Sequence, residues 1–183
     1  RRVPSGDAPS KLTVAGLTPE PHEGKLRFRL DTSTHNLADF VPQLFKQLDV
    51  ADWRRVVEHN LTGAFVVGRA VARRMVERRR GKIINIGSVQ SDLARPTIAP
   101  YTAAKGGLRN LTRAMAAEGG GANVQANSVA PGYIHTEMTQ NLVDDPDFNG
   151  WVIGRTPAAR WGTSADLVGP TLWLASAASD YVN

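Results

Sequence analysis

A short β-branched run bounded by glycine, Lys82 to Ser88, and a second strand-like run, Asn123 to Ala130, flank a single helix-length segment, and this spacing constrains the fold more than any other feature. Lys82-Ile-Ile-Asn-Ile-Gly-Ser88 reads as a buried strand with Ser88 at its carboxyl end. A helix is expected from Pro100-Tyr101 to Glu118, with Ala104, Leu108, Leu111 and Met115 turned inward and Gly119-Gly120-Gly121 ending it. Strand, helix, strand implies a crossover and a parallel pair covered by helices, the α/β class.

Upstream, Trp53, Val57, Leu61, Ala64, Gly68, Val71 and Met75 recur at helical steps from Asp49, and Gly81 is the natural stop. Residues 1–48 read differently, with scattered Pro, Gly, Ser and Thr and two strand-like runs, Leu12 to Leu17 and Lys25 to Leu30. The reading is therefore an atypical segment over 1–48 and one domain over 49–183. After the second strand, Pro131-Gly132 opens a loop that carries Thr136 and the acidic stretch Asp144-Asp145-Pro146-Asp147. Two helical patterns then surround Asp166 to Leu174.

Composition narrows the function classes. With 42% hydrophobic and 21% charged residues the chain has the balance of a soluble globular protein. There are no cysteines, which removes thiolate chemistry and cysteine-based metal centres. The four histidines are scattered without ligand spacing, so no metal is expected, and His135 reads as a loop residue. The net charge of +5 is concentrated in residues 51–82, where a run such as Arg78-Arg79-Arg80 suits a helix carboxyl terminus, and no nucleic-acid partner is expected. No apolar run approaches the ~20 residues of a bilayer span, and Arg1-Arg2-Val3-Pro4 has no apolar leader, so no membrane partner and a cytoplasmic location are expected. Asn60-Leu-Thr62 and Asn110-Leu-Thr112 match the glycosylation sequon but fall inside helices, where use is not expected.

Ligands of parallel sheets bind at the carboxyl ends of the strands, where Ser88 and Pro131-Gly132 both lie. Tyr101 and Lys105 share one helix face at a four-residue spacing. An ammonium beside a phenol stabilises the phenolate, which makes a phenol usable as a proton donor and acceptor. A hydroxyl such as Ser88 could hold a carbonyl oxygen beside it. Tyr-x-x-x-Lys alone is weak, and both side chains could equally be surface residues. Its context is what carries the argument: Ser88 before it, small residues after it, and Asn127-Ser-Val-Ala-Pro131-Gly132 downstream.

From about Asp49 to Asn183 these landmarks, with Asn60-Leu-Thr-Gly-Ala-Phe and Ile83-Ile-Asn-Ile-Gly-Ser88, resemble the short-chain dehydrogenase/reductase family. The resemblance implies a partial Rossmann-like doubly wound parallel sheet flanked by helices, and an NAD(P)-dependent oxidoreductase interconverting a secondary alcohol and a ketone. It implies Tyr101 as general acid/base, Lys105 as its electrostatic support and ribose contact, and Ser88 as the group orienting the substrate oxygen. Asn60 would anchor a relay water, and Pro131, Gly132, Ile134 and Thr136 would meet the nicotinamide end of NADP or NAD. It also implies a homo-oligomer, a dimer or tetramer.

The tail, Thr156-Pro-Ala-Ala-Arg160-Trp-Gly and Asp166-Leu-Val-Gly-Pro170, is similar to the sugar-acid subgroup of that family, the gluconate 5-dehydrogenases. The expected substrate is therefore a small sugar acid or other hydroxy-ketone. Arg95 reads equally as a partner for its carboxylate or as a solvated loop arginine. The alternatives are a 3-oxoacyl-[acyl-carrier-protein] reductase-like enzyme and a truncated non-catalytic association module. The family's TGxxxGxG turn and Asn-Asn-Ala-Gly segment are absent from residues 1–48, and its last strand would follow Asn183, so a partial chain is expected. The preference between NAD and NADP is not legible, because the residue that contacts the ribose 2′ position belongs to the missing half.

Overall fold

The structure, a computed structural model, describes residues 17–22, 25–30 and 49–183. The chain divides into two compact units, Arg1–Leu48 and Asp49–Asn183. In the first, strands β1 (Leu17–His22) and β2 (Lys25–Leu30) pair antiparallel, with Leu17 opposite Leu30 and His22 opposite Lys25. The second of these matches the expected run. The first is displaced: the strand starts at Leu17, and residues 12–16 of the expected run lie outside the described residues. Pro19 and Pro21 are tolerated in it, since an edge strand has one side on which a missing N–H costs no ladder bond.

The second unit opens with α1 (Val50–Val57), capped by the Asp49 carboxylate, which accepts from the Ala51 amide at 3.0 Å. A π-helical turn, Glu58–Thr62, joins it to α2 (Gly63–Glu77). There the Gly63 amide donates to the Glu58 carbonyl, five residues back. The expected continuous helix is thus interrupted, and the extra residue in the turn shifts the apolar stripe around the axis. Of that stripe only Gly68 is buried, while Trp53 and Val71 are exposed.

Strand β3 (Gly81–Ile86) runs parallel to β4 (Val124–Val129), joined by α3 (Ala99–Gly119) as the crossover. Ile83 and Ala126 are register partners on one face and pack with Val124, Met75 and Met115 from the flanking helices. Gly68 permits this approach, because a Cβ there would stand 2.7 Å from Met115 Cε. The other face meets the carboxyl-terminal segments: Lys82 Nζ donates to Ser179 Oγ at 3.1 Å, and Asn127 Nδ2 to the Val182 carbonyl at 2.8 Å. Side chains alternate across a strand, so helical structure covers both faces, as a doubly wound arrangement requires.

Beyond β4 the chain differs from the expected loop. Short helix α4 (Gln140–Val143) and α5 (Pro146–Arg155) occupy it, followed by α6 (Val168–Ala175). The acidic stretch is the amino end of α5. Asp145 accepts from the Asp147 and Phe148 amides at 3.0 and 3.1 Å, Pro146 takes the first turn, and Asp147 faces the helix dipole favourably. No helix among the described residues is long and apolar enough to cross a membrane.

Candidate active site

The site forms where β3 and β4 end. The ladder runs past both strands, since the Gly87 amide donates to the Val129 carbonyl at 2.7 Å and the Val89 amide to the Pro131 carbonyl at 3.0 Å. Ser88 lies two residues beyond β3, buried and extended, and caps the short turn Val89–Ser91. Its Oγ accepts from the Gln90 amide at 3.1 Å, which leaves its proton available for a ligand oxygen. The same turn is tied to α3, because Ser91 Oγ donates to the Lys105 carbonyl at 3.0 Å. Arg109 on α3 also pairs with Asp92. Ser88, Lys105 and Pro131 are thereby held by one set of bonds.

On α3, Lys105 Nζ lies 5.5 Å from the centroid of the Tyr101 ring and donates to the Ile86 carbonyl at 2.7 Å. Lys105 is buried and Tyr101 half-buried. Burial holds the Lys105 ammonium below the ordinary lysine value. The unfolded chain binds that proton more tightly, so stability rises with pH between the lowered value and about 10.4, the ordinary lysine value. The stability of the native chain relative to Lys105→Met is accordingly expected to rise from about pH 7 to about pH 10 in urea melts. A gap that does not change with pH would contradict the burial of this charge.

Asn60 sits in the π-helical turn, half-buried, and its Nδ2 donates to the Val56 carbonyl at 3.0 Å. The turn packs on α3 at Gly107, where an added Cβ would stand 2.8 Å from Leu61 Cδ2, so Asn60 is carried against the helix of Tyr101 and Lys105. The segment after β4 is pinned from the other side. The His135 amide donates to the Gly162 carbonyl at 2.8 Å, and the Gly162 amide to the Tyr133 carbonyl at 2.9 Å. Gly132 is exposed, Ile134 is half-buried, and Thr136 is exposed at the cap of the next turn.

Arg95 lies in the loop between the Val89–Ser91 turn and α3. It is half-buried, with its guanidinium carbon 5.9 Å from the centroid of the Phe148 ring. Phe148 belongs to an aromatic group in which Tyr133 meets Phe148, Trp151 and Trp161 edge-on at 5.6 to 5.8 Å. Buried oxygens without a hydrogen-bond partner occur beside three site residues: Gln90 Oε1 near Ser88, Thr102 Oγ1 next to Tyr101, and the Tyr133 hydroxyl next to Gly132.

A cleft of about 470 Å³ adjoins this segment, with Val89, Gly132, Ile134, Arg155, Thr156 and Arg160 among its lining residues; Ser88, Tyr101 and Lys105 border it only through their neighbours and do not line it. A larger cavity, about 630 Å³, is an apolar groove between α2 and α3 lined by Phe65, Ala72 and Met115, and it too lacks Ser88, Tyr101 and Lys105 in its lining. The cleft wall is stiffened by an ion pair missed in the sequence. Arg160 gives both arms of its guanidinium to Asp166 at 2.8 and 2.7 Å, and the Thr163 amide donates to the same carboxylate at 2.7 Å. The guanidinium, with Thr163, holds the Asp166 carboxyl well below the usual carboxylate range. The pair therefore stabilises the fold above the ordinary carboxylate pKa and persists as pH falls, until the lowered value is reached. Asp166→Ala is expected to accelerate hydrogen exchange at the Thr163 amide; an unchanged rate would show that the clamp does not order the loop.

The family model described as enoyl-(acyl carrier protein) reductase matches residues 24–183. The chain belongs to the short-chain dehydrogenase/reductase family. Within that family it is 54% identical over 132 residues to the gluconate 5-dehydrogenase of Gluconobacter oxydans, covering 72% of this chain and 52% of the relative. It is 50% identical over 139 residues to the 5-keto-D-gluconate 5-reductase of Escherichia coli K12, covering 76% and 55%. The crystal structure of a gluconate 5-dehydrogenase from Burkholderia cenocepacia J2315 in complex with NADP and tartrate superposes with a TM-score of 0.73 at 53% identity, over 75% of this chain and 54% of that one. The chain spans about half the length of the curated dehydrogenase relatives it matches. Its two-stranded parallel sheet with flanking helices is the corresponding part of the Rossmann fold.

Proposed function

We propose that this chain carries the catalytic part of an NAD(P)-dependent oxidoreductase that interconverts a sugar-acid alcohol and its ketone, with gluconate and 5-keto-gluconate as the pair. The observation that carries this reading is the buried Lys105 ammonium 5.5 Å from the Tyr101 ring on the helix that packs beside Ser88. Half the length of sugar-acid relatives, at 50–54% identity, supports the substrate class.

The donor set fits the nicotinamide end of a dinucleotide: a buried cation beside a phenol, a serine hydroxyl with a free proton, and exposed backbone at Gly132. Pro131, Gly132, Ile134 and Thr136 would border that end, and Lys105 would reach the adjoining ribose. The nicotinamide supplies or removes the hydride when bound. In the reductive direction Ser88 donates a hydrogen bond to the ketone oxygen and Tyr101 gives it a proton. Lys105 stabilises the phenolate left behind, and Asn60 anchors the water through which that proton is replaced. Oxidation reverses these steps.

Association with a further chain is part of the reading, since Phe65, Val66 and Val67 are exposed along α2 beside the apolar groove. That face equally favours an association module without catalysis. Titration of NADPH and NADH into the chain, followed by assays with 5-keto-D-gluconate and an acetoacetyl thioester, separates the readings. Saturable binding with turnover of the sugar acid supports the proposal. Preference for the thioester moves it to the acyl-reductase class, and a folded chain that binds neither nucleotide is the association module.

A further inference from the structure

We propose that Arg155, at the carboxyl end of α5, is the cation that receives the carboxylate of an acidic substrate in the cleft lined by Val89, Gly132 and Ile134. The inference rests on the reading of this cleft as the substrate end of a sugar-acid oxidoreductase. Two cations line the cleft, Arg155 and Arg160, with Asp166 as the lining acid. They are in different states. Arg160 is fully engaged, with its two arms on the Asp166 carboxylate and a further donation to the Trp161 carbonyl at 2.9 Å. Its charge is neutralised within the wall.

Arg155 is exposed and has no carboxylate partner among the described residues. Its guanidinium carbon lies 4.9 Å from the centroid of the Trp151 ring, one helical turn back. A guanidinium over an aromatic face keeps its in-plane N–H fork open, and that fork matches a carboxylate bidentately. The carbonyl end of α5 also favours a cation at this place. Arg95 is the poorer candidate, being half-buried over Phe148 and outside the cleft lining. The cleft thus presents one positive charge without a carboxylate partner among the described residues, in a lining that also holds Val89 and Gly132. A substrate with its carboxylate at one end and its oxidisable carbon toward the other is oriented by that charge.

The test is calorimetric titration of the native chain, Arg155→Ala, Arg155→Lys and Arg95→Ala with D-gluconate and with the neutral polyol D-sorbitol. Arg155→Ala is expected to weaken gluconate binding about 10- to 100-fold while changing sorbitol binding by about twofold at most. Arg155→Lys restores part of the loss, because an ammonium keeps the charge without the fork. Added salt weakens gluconate binding by the native chain more than by Arg155→Ala. Unchanged gluconate affinity in Arg155→Ala, an equal loss for both ligands, a larger loss in Arg95→Ala, or no gluconate binding by the native chain overturns the assignment. Arg155-dependent binding without nicotinamide turnover removes the redox reading and leaves this one standing. Equal turnover of gluconate and sorbitol does the reverse.

Discussion

Replacing Tyr101 by Phe is expected to lower NAD(P)-dependent turnover by about 10²- to 10⁴-fold, the range that a positioned proton donor contributes. The ring remains, so its packing beside Lys105 and the start of α3 at Ala99 are retained. What is lost is the phenol proton, while the Ser88 cap on the Gln90 amide and the Lys105 bond to the Ile86 carbonyl stay in place. The effect should fall on kcat with nucleotide affinity little changed, since in the proposed reaction the phenol acts on the reacting oxygen. Urea melts and fluorescence titration of NADPH alongside the turnover assay complete the experiment. A variant that keeps more than about a tenth of the native kcat would take Tyr101 out of the proton path.

How far the sequence disclosed this site depended on how local each signal was. The unit β3–α3–β4 was legible because buried parallel strands are short and β-branched and because glycine and proline punctuate them. Ser88, Tyr101 and Lys105 were legible on the same grounds, since each is placed by a strand end or a helix spacing. The π-helical turn at Asn60 was not: Val57, Leu61 and Ala64 continue a helical period through it, and an inserted residue leaves no mark in residue type. Helix α5 was hidden behind its own acidic cap, although Asp145-Pro146 is a helix start when read with the apolar residues that follow. Arg155 was the least accessible. Its importance follows from the pairing of Arg160 with Asp166, and that pairing is a fact of three dimensions.

The largest effect on stability is expected from Leu108→Ala. Leu108 is 2% exposed, on the face of α3 where Ala104, Lys105 and Thr112 are also buried. The Thr112 hydroxyl donates to the Leu108 carbonyl at 2.8 Å and accepts from Asn85 Nδ2 at 2.9 Å, which ties this stretch of helix to β3. With the helix fixed at both ends of the stripe, the wall cannot close on the space left by the side chain, and the cavity cost adds to the lost burial. The expected loss is about 2–5 kcal/mol, against a total of about 5–15 kcal/mol for an ordinary domain. That corresponds to a fall in Tm on the order of 10 °C. Leu111→Ala, at a half-buried position on the same helix, serves as the comparison and should cost less. If urea melts with an unchanged slope give less than about 1 kcal/mol for Leu108→Ala, α3 is not packed on the sheet as described, and the placement of Lys105 against the Ile86 carbonyl fails with it.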